Sequence, residues 1–356
     1  MKKYFIILAV AALTASAACT KVEVIDNTPA QKITFKVANY VPQTRAGEVS
    51  FLSEFADPAN AQFSCKAYMK GVGVDGYQDF FGSGETIKWN ATNKEWAPSH
   101  TYYWPKYTDS YVNFFSWYDT GAGPAVTNGT MKWENRTIGT GDNIMYADPA
   151  WRFQKNTNTY LKDGVTEGVP TLFHHALAQV EIRAYADKLS DENVSKWEIK
   201  LESLELKVNN EGTLTLTATE PTEGYNAKGD WDGTPAWVAS GDKGSIVPAT
   251  FDVTTTDATA AEAKLLANQS VLPQDLANVS IKFNLNIVTT YTGGATNQEI
   301  IPVEIPMGIN GFETAAWALN TKYIYTIKVV PADSKVLFDP AVEKAWDTVE
   351  AGEKVL

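Results

Sequence analysis

"ITFKVANYVPQTRAGEV", Ile33 to Val49, is the stretch whose reading decides the fold. Ile33, Phe35 and Val37 alternate with Thr34, Lys36 and Ala38, which puts the three apolar side chains on one pleated face of a strand. Pro42 ends the alternation, and Thr44, Arg45, Ala46 and Gly47 follow in a polar, turn-forming loop that offers a basic residue to a protease. A strong strand beside such a loop raises the question of whether a cut there would detach it or Arg45 is a plain surface arginine.

Towards the N-terminus, Lys2 and Lys3 precede an apolar run from Tyr4 to Ala15, and Ser16, Ala17 and Ala18 lead into Cys19. This is the pattern of an export leader, and the run falls short of the roughly 20 residues that span a bilayer. A cysteine after a small-residue cleavage site resembles a lipobox, in which Cys19 carries the acyl chains of a membrane anchor; plain secretion is the alternative. Residues 1–18 are then the leader and residues 19–45 a tether plus the removable first strand, "TKVEVIDNTPAQ" being the extended part.

The chain has two cysteines, so lipidation of Cys19 leaves only Cys65 and no intramolecular disulfide. Stability must come from burial, for which 16 tyrosines, 15 phenylalanines and 11 tryptophans in 356 residues are ample. With 42 acidic and 30 basic residues the formal net charge is −12, a surface that repels nucleic acid and anionic lipid. No metal or cofactor is implied.

Alternating segments separated by Gly, Pro, Asn, Asp and Thr fill the chain, which predicts an all-β protein of two tandem antiparallel β-sandwich domains. Strands are expected at 62–68, 86–89, 111–118, 130–133, 197–208, 212–218, 281–288, 299–305, 323–330 and 336–339. The alanine-rich stretch from Ala258 to Ala267 is the one expected helix, and the prolines of the aromatic run from Trp96 keep it out of a central sheet until about Tyr111. The polar loop from Gln154 to Pro170 is the expected junction between residues 46–168 and residues 169–356.

Catalytic constellations are missing. Of three histidines, His174 and His175 are adjacent and point to opposite faces of a strand, and His100 stands alone. "DWDG", Asp230 to Gly233, resembles the start of a calcium loop, but the position that needs a bidentate glutamate is Gly241, so a turn is expected. Glu198, Lys200, Glu202 and Glu205 mostly alternate with apolar residues as the wet face of a strand, and Cys65 is expected to be an inert buried thiol. Trp96, Tyr102, Tyr103 and Trp104 either fill the core or, on exposed loops, stack on sugars.

The order of several motifs resembles that of the fimbrillin-like (Mfa-like) proteins, the type V pilin superfamily. They are Cys19 after the leader, "TRA" at Thr44 to Ala46, "YYWP" at Tyr102 to Pro105 followed by "NFFSWY", "LFHHALAQVEIRAY" at Leu172 to Tyr185, "VLPQ" at Val271 to Gln274 and "WALNTKYIYTI" at Trp317 to Ile327. Family members often carry Pro-Gly before the Lys and Tyr of the last motif, where this chain has Asn320-Thr321.

The resemblance implies transthyretin-like domains and a lipoprotein of the cell outer membrane. It also implies trimming between Arg45 and Ala46 and head-to-tail assembly with other fimbrial subunits by β-strand exchange. Removal of Ile33, Phe35 and Val37 would open a groove for a donor strand, whose candidate anchors are Val336, Phe338, Val342 and Trp346 in the C-terminal tail. That tail folding back into its own domain is the alternative, as is Arg45 being a plain surface arginine. The function expected is a structural, non-enzymatic fimbrial subunit of shaft, tip or anchor type that meets a host surface protein or glycan. A lipid-anchored carbohydrate-binding protein with exposed aromatic loops is the competing reading.

Overall fold

The computed structural model describes residues 30–39, 58–139, 141–157, 167–186, 191–240, 243–253, 263–308 and 315–345. Cys19, Arg45, Ala46 and Trp346 lie outside the described residues. Within them the protein is all-β, interrupted only by short 3-10 turns. The first part of the chain forms β1 (Phe35–Asn39), β2 (Gln62–Lys70), β3 (Gln78–Asp79), β4 (Glu85–Asn90), β5 (Glu95–Pro98), β6 (Tyr111–Asp119), β7 (Ala125–Thr127), β8 (Thr130–Thr137), β9 (Ile144–Ala147), β10 (Ala150–Phe153) and β11 (Val169–His175). The remainder forms β12 (Ala178–Ala186), β13 (Val194–Asn209), β14 (Glu211–Thr217), β15 (Ala227–Lys228), β16 (Trp237–Ala239), β17 (Lys243–Val253), β18 (Lys264–Val271), β19 (Ser280–Tyr291), β20 (Thr296–Pro306), β21 (Thr321–Val330) and β22 (Lys335–Ala345).

Strands β6, β9, β11, β1, β5, β4 and β2 are hydrogen-bonded in that order, and β2 pairs again with β6, so the first unit closes as a barrel. All of these ladders are antiparallel except β1 with β11, where Phe35 lies opposite Val169 and Asn39 opposite Phe173. Alternation sends Phe63, Cys65, Val112, Phe114, Met145 and Phe173 to the barrel interior. Their neighbours Phe115, Ile144 and Tyr146 point outward into a second core. A sheet of order β16-β14-β8-β7 covers that second core with Met131, Trp133, Leu214 and Leu216. The sandwich expected here is therefore a barrel with a sheet packed on its outside.

The second unit stacks two four-stranded sheets, β18-β12-β21-β22 and β17-β13-β19-β20. Val180, Ile182, Ile199, Leu201, Phe283, Leu285, Tyr325 and Ile327 are buried in their shared core. In β13, Glu198 and Lys200 are exposed while Ile199 and Leu201 are buried. The backbone then bulges at Ser203, with φ of +56°, so that Leu204 and Leu206 return to the core side.

Two expectations fail here. Lys264–Val271, at the end of the expected helix, is the edge strand β18 paired with β12, a case of tertiary pairing overriding the helix preference of alanine. The other failure is the boundary after residue 168. β11 pairs with β1 and β9, β14 pairs with β8, and β15 pairs with β10, so the ladders run across it.

The passage between units is clamped at Gln274. Its Nε2 donates to the carbonyls of Asn209 (3.1 Å) and Leu272 (3.0 Å), and its Oε1 accepts from Asn209 N (3.0 Å). Asn209 ends β13 of the second unit, and β14 of the first begins two residues later.

Candidate functional site

The seat of β1 begins before the strand itself. Ile33 N donates to Tyr102 O at 2.9 Å, Trp104 N to Gln31 O at 3.1 Å and Val169 N to Thr34 O at 2.8 Å. Asn156 clasps the same stretch. Its Nδ2 donates to Lys32 O at 2.9 Å, and its Oδ1 accepts from Thr34 N at 3.3 Å and from Trp104 Nε1 at 3.1 Å. Thr34 Oγ1 adds a bond to Glu167 O at 2.9 Å.

Ile33, Phe35 and Val37 are 2%, 2% and 0% exposed, which makes β1 as deeply buried as any stave of the barrel. The Phe35 ring stands edge-on to Phe63 (5.9 Å, 81°) and Phe114 (5.6 Å, 87°), a favoured aromatic geometry. Lys36 is buried too, so the opposite face of β1 is covered rather than wet as its alternation suggests. Gly168 passes so close that a Cβ there would lie 2.7 Å from the Phe35 carbonyl carbon and 2.8 Å from Lys36 N, leaving room for glycine alone.

The aromatic run lines this seat from one side. Trp96 on β5 pairs with Phe35, packs on Phe63 and Trp89 and is 1% exposed. Trp104 packs edge-on against Phe114 and is 6% exposed. These tryptophans are core, and of the four only Tyr103 is exposed. The expectation that prolines hold Trp96 outside the sheet fails because Pro98 falls at the end of β5, where the strand leaves the ladder.

Other singled-out residues have structural partners. His174 Nε2 meets Asp148 Oδ1 at 2.8 Å and its ring stacks on Tyr146, while buried His175 Nδ1 meets Asn143 Oδ1 at 3.1 Å on the other face. His100 Nδ1 meets Glu85 Oε2 at 3.0 Å. Cys65 is a free, fully buried thiol whose pKa is pushed up to about 12 by burial. Gly233 takes φ of +69° in the turn of "DWDG", and Trp231 there donates to Ala147 O.

The tail pairs at home: β22 runs antiparallel to β21, with Val336 opposite Val329, Phe338 opposite Ile327 and Val342 opposite Ile324. It is the outer strand of its sheet, and Val336 is partly buried against the core shared by the two sheets of the second unit. Asn156 and Gly168 were invisible to sequence reasoning, since in "QKNTNTYLKDGVTEGVP" they look like any other loop residues. Their one signal is that the indole N–H of a buried tryptophan needs an acceptor.

A protein-family comparison matches the fimbrillin-like family over residues 68–344. Among solved structures, a fimbrial protein from Bacteroides vulgatus has 16% identity and a TM-score of 0.50, with 88% of this chain and 99% of that one covered. The fimbrial anchor protein Mfa2 from Porphyromonas gingivalis has 11% identity and a TM-score of 0.27, with 89% and 98% covered. No curated protein matches the chain. The family match spans most of the barrel and nearly all of the second unit, including the strands that seat β1 and the Gln274 joint, and on that ground the chain belongs to the fimbrillin-like family.

Proposed function

We propose that the protein is a subunit of a surface fimbria whose β1 is an exchangeable stave, removed by cleavage between Arg45 and Ala46 and replaced by an extended segment of a neighbouring subunit. The observation that carries this reading is the burial of Ile33, Phe35 and Val37 in a seat built entirely from later parts of the chain. Each such side chain is worth about 1.5 to 3 kcal/mol, so an emptied seat is a strong acceptor for a matching strand. In this reading acyl chains on Cys19 tether the exported chain to the outer membrane before assembly. The surface role is structural, and the partners are other fimbrial subunits.

The home pairing of β22 with β21 supports a place at one end of the fibre, as tip or anchor, over a shaft position that would need this strand released. The experiment is limited digestion of the mature chain with an arginine-specific protease, followed by N-terminal sequencing and size-exclusion chromatography. A new terminus at Ala46, together with capture of a synthetic peptide spanning Lys32 to Asn39, is the expected result. Cleavage at Arg45 that leaves the peptide unbound and the seat closed would sink the exchange.

A further inference from the structure

Three tyrosines from separate segments meet on the outside of the barrel. Tyr111 opens β6, Tyr77 lies in the connection from β2 to β3, and Tyr225 lies in the loop before β15. Tyr77 and Tyr225 both stand edge-on to Tyr111, at centroid distances of 6.4 and 6.0 Å. They leave 38% and 42% of their surface in solvent. Single exposed aromatics are ordinary, but two flanking a third form a platform.

Polar groups hold this platform fixed. The Arg152 guanidinium lies 4.8 Å from the centre of the Tyr111 ring and 5.0 Å from that of Tyr225, and its Nη1 donates to the carbonyls of Pro221 (3.1 Å) and Thr222 (2.7 Å). Its Nη1 is thus held by backbone carbonyls, and a second cation, Lys70 Nζ, lies 5.7 Å from the centre of the Tyr77 ring. The loop carrying Tyr225 is fastened further by Asn226, whose N donates to Arg152 O at 3.0 Å and whose Oδ1 accepts from Gln154 N at 3.1 Å.

Beside the rings sits Glu220. Its Oε2 accepts from the Tyr77 hydroxyl and from Asn113 Nδ2, the latter at 2.8 Å. Asn113 is fully buried, and its Oδ1 accepts from Arg152 N at 2.8 Å, so a buried amide sets the position of a half-buried carboxylate. A hexopyranose needs this combination: a flat apolar face for its C–H bonds and a fixed acceptor for its hydroxyls, both ordered before binding so that little entropy is lost. The carboxylate and the net charge of −12 disfavour an acidic sugar.

We propose that this tyrosine cluster binds a neutral oligosaccharide, with Tyr225 and Tyr77 stacking on sugar rings and Glu220 accepting hydrogen bonds from hydroxyls. Asn113 and Phe114 are neighbours on β6, and Phe114 faces Phe35 inside the barrel. The cluster is therefore on the other face from the β1 seat and stands or falls separately from strand exchange.

The test uses the full mature chain on an array of neutral glycans with sialylated controls, followed by titration of the best neutral tetrasaccharide. Binding at about 1 mM or tighter is expected, weakened at least about tenfold by Tyr225→Ala and by Glu220→Gln and retained by Tyr225→Phe. Unchanged thermal midpoints would show that the variants fold. No neutral glycan bound, a preference for sialylated controls, or an affinity indifferent to Tyr225→Ala and Glu220→Gln would overturn the proposal.

Discussion

At the scale of single residues, Asn156 does what no hydrophobic residue could, satisfying Lys32 O, Thr34 N and the Trp104 indole at once. Asn156→Ala would leave the buried Trp104 indole N–H and the half-buried Thr34 N without this partner, at about 1 to 3 kcal/mol. Chemical denaturation should show that loss, and hydrogen exchange should show it concentrated at residues 33–39. Protection unchanged there would mean that the barrel interior alone retains the strand. The apolar half of this seat was legible in the sequence, because Ile33, Phe35 and Val37 alternate. Its polar half was not, because a clasp 122 residues from Thr34 leaves no local pattern.

At the scale of elements, β1, β2, β4, β6, β8, β13, β14, β19, β20, β21 and β22 were legible from their period of two, and two of the misses, β18 and β5, have a common cause. β18 and β5 are sheet members because of the neighbours they reach, β12 for one and β1 with β4 for the other, and neither carries a strand pattern strong enough to override alanine or proline. The parallel pair of β12 with β21 also carries an ion cluster at Glu181. Burial raises the Glu181 carboxyl, but Lys322 Nζ at 2.6 Å and a bond from Arg183 outweigh it and hold the group below its ordinary value. A depressed folded value stabilises above the unfolded pKa of about 4.3 and is lost as pH falls through the folded one. Glu181→Gln should therefore cost about 1 to 3 kcal/mol at pH 7, and the gap from wild type should shrink on acidification in parallel urea titrations. A gap that stays constant down to acid pH would assign the cost to packing instead.

At the scale of the whole molecule, the all-β class follows from alternation and turn residues, but the division of labour along the chain does not. A polar loop at residues 154–170 resembles a linker, and only the ladders reveal that later segments return to the first unit. β11 supplies a barrel stave, while β14 and β16 form half of the sheet covering its outer core. The fragment 169–356 would thus expose Leu214, Leu216, Trp231 and Trp237, all buried in the intact chain. The complementary fragment, ending at residue 168, would lack β11 between β1 and β9, so the barrel could not close. Neither fragment is expected to fold alone, whereas the two expressed together should assemble, since the ladders of β11 with β1 and β9, of β14 with β8 and of β15 with β10 join them without a covalent bond. Co-purification of the pair, with native-like circular dichroism from the mixture and not from either part, is the measurement. A stable, monomeric 169–356 fragment with a cooperative thermal transition would show that the returning strands are accessories of the second unit and not parts of the first.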